Sequence, residues 1–223
     1  MRLILASASP RRAELLRAAG YDFEIAAANV DESIRDGESP SIYVRRLAAE
    51  KSAAVMAAVI GRASRAEAGD RDHGPAEAGR EGNGDVIVLG ADTTVVVDGE
   101  MLGKPSDDRD SAWMLARLSG RAHQVLTGIS LRRGALEIGR VETTTVAFAP
   151  LTDDEIAWYV ATREGRDKAG AYAIQGYASR FIPRIEGSYS NVVGLPVSCV
   201  RELLREISGT RRDRSSARRS SAG

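Results

Sequence analysis

With 223 residues, 31 Lys plus Arg against 31 Asp plus Glu, 43% hydrophobic residues and one cysteine, the chain can bury a core of its own as one domain, or at most two small ones. Cys199 has no partner for an internal disulfide, and with only His73 and His123 beside it a Cys/His zinc site is excluded, so any metal must sit on carboxylates. The N-terminal apolar run stops before Arg11 and Arg12, too short for a signal peptide, and the longest apolar run, Val86 to Ala91, falls far below the ~20 residues that span a bilayer; a cytoplasmic protein with no membrane contact is expected.

In chain order, Arg2 to Ala6 reads as a buried strand, and Ser9 as N-cap with Pro10 at the first helical position opens a helix to about Ala19. Tyr21 to Ala27 reads as a strand, and Ser39-Pro40 starts a helix to about Val59. Residues 61–84 hold six Gly and nine charges and no Val, Ile, Leu, Phe, Tyr or Trp, which predicts a flexible surface insertion. Asp85 to Leu89 is a continuous apolar strand of the buried type, followed by a hairpin of Thr94 to Val97 and Glu100 to Leu102 around the turn Asp98-Gly99. A helix over Asp107 to Leu118 precedes strands over Ala122 to Arg132 and Ala135 to Phe148. Thr152-Asp153-Asp154-Glu155 matches a capping box for a helix to about Thr162, and a strand over Phe181 to Ile185 and a helix over Pro196 to Ile207 close the domain. The Arg-rich tail, residues 208–223, is expected to be disordered. The sum is an α/β fold, a mixed twisted sheet with flanking helices. Removing the tail (+4) and the insertion (−1) from a net charge of zero leaves −3, so the core has no electrostatic footprint for nucleic acid.

Chemistry shows where polar residues break this pattern. Lys51 falls on the face that carries Val44, Leu47, Ala48 and Val55, so either its stem snorkels outward or its ammonium meets an anion in a cleft. Asp92 follows the run Val86 to Ala91, at the carboxyl rim where open α/β sheets bind ligands, unless it only caps the turn at Thr93 and Thr94; Gly90 before it would allow close backbone approach. Ser7, Ser9, Arg11 and Arg12 gather hydroxyls, guanidiniums and helix N-terminal N–H groups, a set that suits phosphate and also suits a capped surface helix. Asp31-Glu32 offers a carboxylate for metal or a solvated acidic pair, and Lys104 stands in a short stretch after the hairpin. Gln175, between Ile174 and Gly176, can read the polar edge of a base or satisfy local backbone. His73, His123 and Cys199 have no catalytic constellation around them.

Read in order, Leu5-Ala6-Ser7-Ala8-Ser9-Pro10-Arg11-Arg12, Gly90-Ala91-Asp92-Thr93, Gly103-Lys104-Pro105, Leu118-Ser119-Gly120, Asp167 to Tyr172 through Ile174-Gln175-Gly176, and Val193-Gly194-Leu195-Pro196 resemble the Maf family of nucleoside triphosphate pyrophosphatases, from residue 3 to about 207. The resemblance implies an elongated two-lobed fold, like that of inosine triphosphate pyrophosphatases, with a nucleotide in the central cleft. It also implies hydrolysis of a nucleoside triphosphate to monophosphate and pyrophosphate with Mg²⁺ or Mn²⁺. By the same resemblance Asp92 is the proton acceptor, Glu32, Lys51 and Lys104 are associated with activity, and Arg11, Thr93 and Gln175 set base preference in a form like the dTTP and UTP branch. Glu32 and Asp92 are the expected metal carboxylates, and Ser7, Ser9, Arg11, Arg12 and Lys168 are expected substrate contacts. A homodimer is a further expectation. Two alternatives stand beside this reading: a pyrophosphatase for modified bases of the inosine or methyl-GTP type, and a weakly catalytic nucleotide-binding regulator of septum formation.

Overall fold

The structure, a computed structural model, describes residues 1–69 and 86–219, the side chains at 63–69 and 210–219 excepted. Strands β1 (Arg2–Ala6), β2 (Glu24–Ile25), β3 (Val86–Val97), β4 (Glu100–Leu102), β5 (Ala122–Arg133), β6 (Leu136–Ala147) and β7 (Arg184–Glu186) form one mixed sheet. Its order is β2-β1-β3-β5-β6-β7, with β4 paired to β3. The helices are α1 (Pro10–Ala18), α2 (Pro40–Gly69), α3 (Asp108–Leu118), α4 (Asp153–Ala161), α5 (Tyr189–Val193) and α6 (Val197–Arg219). No helix among the described residues is long and apolar enough to cross a membrane.

β3 organises the molecule because its two halves have different neighbours. Its first half runs parallel to β1, whose last pair is Ala6 with Gly90, and its end pairs antiparallel with β4 from Val95 onward. Along the other edge β5 accompanies β3 through Val88 to Val96, with Asp92 opposite Gly128. No strand among the described residues therefore pairs with Ala91 to Thr94 on the β1 side. Strand alternation then sorts the side chains. Ile87, Leu89, Ala91, Val95 and Val97 face one way, where the first three pack with Leu16, Leu195, Leu203 and others under α1 and α6, and the last two with Leu115, Leu118 and Tyr159 under α3 and α4. Thr93 lies between these two apolar clusters, the physical counterpart of two lobes. Val86, Val88 and Val96 face α2, and Asp92 shares their parity. Fully buried leucines such as Leu5, Leu16, Leu89 and Leu203 each contribute about 1.5–3 kcal/mol to holding these layers together.

α2 lies unusually close to the sheet. A side chain at Gly90 would run into the carbonyl oxygen of Ala48 and the amide of Ser52, and one at Gly128 into the carbonyl of Val44. These two glycines bring the helix backbone down onto β3 and β5, which is what lets a side chain on α2 reach the open stretch of β3.

Several elements differ from the sequence expectation. The strand expected over 21–27 shrinks to Glu24–Ile25, because only that pair finds a ladder with β1. β3 does not stop near Leu89 but continues through Asp92, since pairing with β5 is indifferent to the loss of large apolar side chains. The strand expected over Phe181 to Ile185 is a 3₁₀ turn, Tyr177–Phe181, followed by β7. α2 runs to Gly69, inside the segment expected to be a flexible insertion, and α6 runs to Arg219, through most of the tail expected to be disordered. Residues 61–69 are rich in Ala and Arg and residues 208–219 in Arg, both strong helix formers, and neither stretch has a proline to stop the helix. The rest of the insertion, 70–84 with His73, the first residue of the expected strand, Asp85, and the last residues, 220–223, lie outside the described residues. The hairpin, the Thr152/Glu155 capping box and the helix over 108–118 are as the sequence implies, with Asp98 and Gly99 both at positive φ.

His123 of β5 is buried among rings, its Nε2 2.8 Å from the Tyr172 hydroxyl and its ring edge-to-face with Phe148 and Tyr172. Burial pushes its pKa down from 6.5 to about 4. The unfolded chain therefore takes up a proton near pH 6.5 and the folded one does not until about pH 4. The stabilisation from neutral His123 is complete above 6.5, shrinks as pH falls, and is gone below about 4, a change of roughly 3 kcal/mol. Urea titrations across this window are expected to show that loss, and a His123→Gln chain is expected to show a shallower decline.

Candidate active site

Lys51 projects from α2 into the open stretch of β3. It is buried, as are Leu47, Ala48, Ser52 and Val55 on the same helical face. Its ammonium donates to Asp92 Oδ1 at 2.6 Å and lies 2.6 Å from Glu32 Oε1. Of the two readings of Lys51, a snorkelling stem or an anion-bound head, the structure has the second, and the anions are the protein's own carboxylates. Asp92 is itself 8% exposed and caps no turn, while the Glu32 side chain is half-exposed. Burial pushes the Glu32 carboxyl up, but the hydrogen bond and charge of Lys51, with the charges of Lys104 and Arg12, outweigh it and leave its pKa below the ordinary value. Lys104 itself is exposed.

Glu32 sits on a loop with no regular structure, so something else must hold it. Tyr43 of α2 donates its hydroxyl to the Glu32 carbonyl oxygen at 2.9 Å. Arg46, one turn further on, donates to the Ser33 carbonyl at 2.9 Å and to both oxygens of Glu38 at 2.6 and 2.8 Å. Burial and the carboxylates of Asp92 and Glu32 push the Tyr43 phenol up to about 12, which keeps it a neutral donor. Neither Tyr43 nor Arg46 stood out in the sequence, where both read as ordinary helix residues.

On the opposite face of β3 a second network centres on Arg12, which is buried. Its Nε donates to the Gly194 carbonyl at 2.9 Å, one terminal nitrogen to the Ala91 carbonyl at 2.9 Å and Ser7 Oγ at 3.1 Å, and the other to Thr93 Oγ1 at 3.1 Å. The Ala91 carbonyl belongs to the unpaired edge of β3, so Arg12 supplies the partner that β1 does not. Thr93 Oγ1 also lies 2.9 Å from Thr127 Oγ1 and 3.3 Å from the Gly194 carbonyl. Arg12, an expected substrate contact, thus gives most of its donors to protein acceptors from three other segments. Arg11, half-buried, is the more open guanidinium and stands 3.5 Å from the Asp167 carboxylate. Ser9 occupies the N-cap position of α1, but its side chain makes no capping bond; its amide donates to Ser7 Oγ at 3.2 Å.

The remaining expected residues cluster at the second lobe. Lys168 donates to Asp167 at 2.6 Å and to the Glu164 carbonyl. The amide of Gly170 donates to the Gly103 carbonyl at 3.0 Å, which joins the Lys168 segment to the one bearing Lys104. Gln175 is exposed on the following loop and is not tied directly to Lys51 or Asp92. The structure thus brings Glu32, Lys51 and Asp92 into direct contact, joins Ser7, Arg12 and Thr93 on the other side of the strand, and leaves Lys104, Lys168 and Gln175 on the adjoining lobe.

Among the described residues no group of three or more His, Cys, Asp and Glu could enclose a metal ion. Two carboxylates converge instead, each 2.6 Å from the same ammonium. That donor set fits a hard cation such as Mg²⁺, which is held by one or two carboxylates and fills its shell with waters and substrate phosphates, and does not fit a closed structural site.

A profile of the Maf family, described as Maf-like protein, matches residues 2–207. A protein of Symbiobacterium thermophilum named dTTP/UTP pyrophosphatase is 48% identical over 205 residues, covering 92% of this chain and 93% of that one. Proteins of the same name are 49% identical in an Anaeromyxobacter species, over 92% of this chain and 88% of its own, and 44% identical in Syntrophus aciditrophicus, over 96% and 97%. The solved structure of the Staphylococcus aureus Ham1 protein aligns at a TM-score of 0.42 with 14% identity over 95% of this chain and 100% of its own, a likeness too distant to build on.

Proposed function

The chain belongs to the Maf family, and on that premise we propose that it hydrolyses dTTP and UTP to the nucleoside monophosphate and pyrophosphate. The observation that carries this reading is the Lys51 ammonium bridging Asp92 and Glu32 at Ala91 to Thr94 of β3, where no strand among the described residues pairs on the β1 side. A buried carboxylate beside a fixed cation, at a strand edge that no described strand covers, can accept a proton from water while its surroundings meet phosphate charge.

Asp92 Oδ orients a water and takes its proton as the water oxygen bonds to the α-phosphorus. The bridge between the α-phosphorus and the β-phosphate oxygen breaks, and pyrophosphate leaves with the bonding pair. Lys51 holds Asp92 in place and sets its positive charge against the phosphates, where positioning and electrostatics supply most of the rate in phosphoryl chemistry. Lys104, Arg11, Lys168 and the N–H groups at the start of α1, with Ser7 and Ser9, receive the β- and γ-phosphates. Arg12 acts one step behind, keeping Ser7 and Thr93 in register with the Ala91 carbonyl. A divalent cation, Mg²⁺ or Mn²⁺, would be held by Glu32 and Asp92 and, when bound, would polarise the phosphate oxygens. Thr93 and Gln175 meet the base: a carboxamide carries both a donor and an acceptor, which matches the paired acceptor and donor on the edge of uracil or thymine.

The reading is tested by measuring pyrophosphate and inorganic phosphate release separately over dTTP, UTP, CTP, ITP, methyl-GTP and GTP with each metal. Pyrophosphate from dTTP and UTP is expected. Preference for a modified base would replace the substrate class, and release of phosphate alone would overturn the reaction.

A further inference from the structure

The second lobe contains a hydrogen-bond device that the chemistry above does not use. Gln175 rides on a loop of irregular backbone, and such a loop can present a base-reading amide reproducibly only if its ends are fixed. Both ends are fixed by one pair of side chains. Tyr159 of α4, 1% exposed, accepts from the Ala173 amide at 3.0 Å and donates its own proton to Glu164 Oε2 at 2.7 Å. The other oxygen, Glu164 Oε1, accepts from the Tyr177 amide at 3.0 Å, and Oε2 receives the Ala178 amide at 3.4 Å. Residues 173 and 177 are thus anchored on either side of Gln175 through a single tyrosine–glutamate relay. Gly176 fits the same design: a Cβ there would collide with the Glu164 carboxylate, so the residue after Gln175 must be glycine for the relay to close. The Glu164 carbonyl in turn receives the Lys168 ammonium, which links the relay to the segment joined to Gly103 and Lys104.

We infer that Glu164, acting with Tyr159, is a positioning residue that sets base selectivity by clamping the Ala173–Ala178 loop around Gln175. This rests on the reading of Gln175 as a base contact. Neither residue need touch the nucleotide. Without the relay the loop amides turn to water, Gln175 samples other positions, and discrimination by the base edge is lost while Asp92 and Lys51 keep their geometry.

The test compares full-length Tyr159→Phe, Glu164→Ala, Glu164→Gln and Gln175→Ala chains for kcat and KM on dTTP, UTP, CTP and GTP, with circular dichroism as a check on folding. Tyr159→Phe removes one oxygen and keeps the buried ring, so it stays informative if Glu164→Ala fails to fold. The relay predicts that Tyr159→Phe and Glu164→Ala raise KM for dTTP and lower its preference over CTP by about tenfold, the factor that corresponds to ~1.4 kcal/mol, with kcat changed by less than about twofold. Glu164→Gln, which keeps an acceptor, is expected to restore part of the preference. If Gln175→Ala flattens the base preference and Tyr159→Phe leaves both KM and preference untouched, the relay is only a stabilising feature and the inference falls. If Gln175→Ala itself leaves the preference intact, the base reading of Gln175 fails first and takes the inference with it.

Discussion

Asp92→Asn is expected to lower kcat for dTTP by about 10²- to 10⁴-fold, the range lost with a general base, and to leave the fold intact. Asparagine keeps the volume of the side chain and a carbonyl oxygen at the position of Oδ1, so Lys51 retains an acceptor there as well as Glu32. What it lacks is the negative charge and the capacity to take a proton from water. Steady-state pyrophosphate release and a urea titration separate these effects. Near-normal turnover in Asp92→Asn would remove Asp92 from the chemistry.

Lys51→Met is expected to damage both rate and stability. Methionine fills the space of the stem but removes the ammonium that lies between Asp92 and Glu32. A buried carboxylate left without its partner costs about 3–5 kcal/mol, and the lower end applies here because the Glu32 side chain is half-exposed and can turn to water. The rate is expected to fall by about 10²- to 10³-fold, as when one fixed electrostatic contact to a developing charge is removed. Denaturation midpoints and kcat, measured on the same preparation, should fall together. Loss of rate with unchanged stability would mean that the ion cluster is not a structural unit.

How much of this was legible in the sequence depends on how far apart the partners lie along the chain. Lys51 and Asp92 could be singled out because each breaks a local periodicity, a lysine on an apolar helical face and a carboxylate at the end of an apolar run, and the two prove to be paired. Gly90 could be read as a close-approach position for the same reason, and α2 does press on it. Glu32 was visible only as half of an acidic pair, since nothing local says that Tyr43 and Arg46 hold its loop. The protein acceptors of Arg12, at Ala91, Thr93 and Gly194, are 79 to 182 residues away, and no local pattern announces them. Glu164 was missed altogether: it follows a helix end where acidic residues are common, and its function appears only when the 173–178 loop folds back on it. The continuation of β3 through Asp92 was hidden for a related reason, because a ladder to β5 depends on backbone pairing rather than on side-chain character.

The central step, attack of water on the α-phosphorus, is tested most directly by running the hydrolysis of dTTP in water enriched in heavy oxygen and analysing both products by mass spectrometry. Attack at the α-phosphorus predicts the label in the nucleoside monophosphate, with unlabelled pyrophosphate. Label in the pyrophosphate and none in the monophosphate would place the attack on the β-phosphorus and contradict the mechanism.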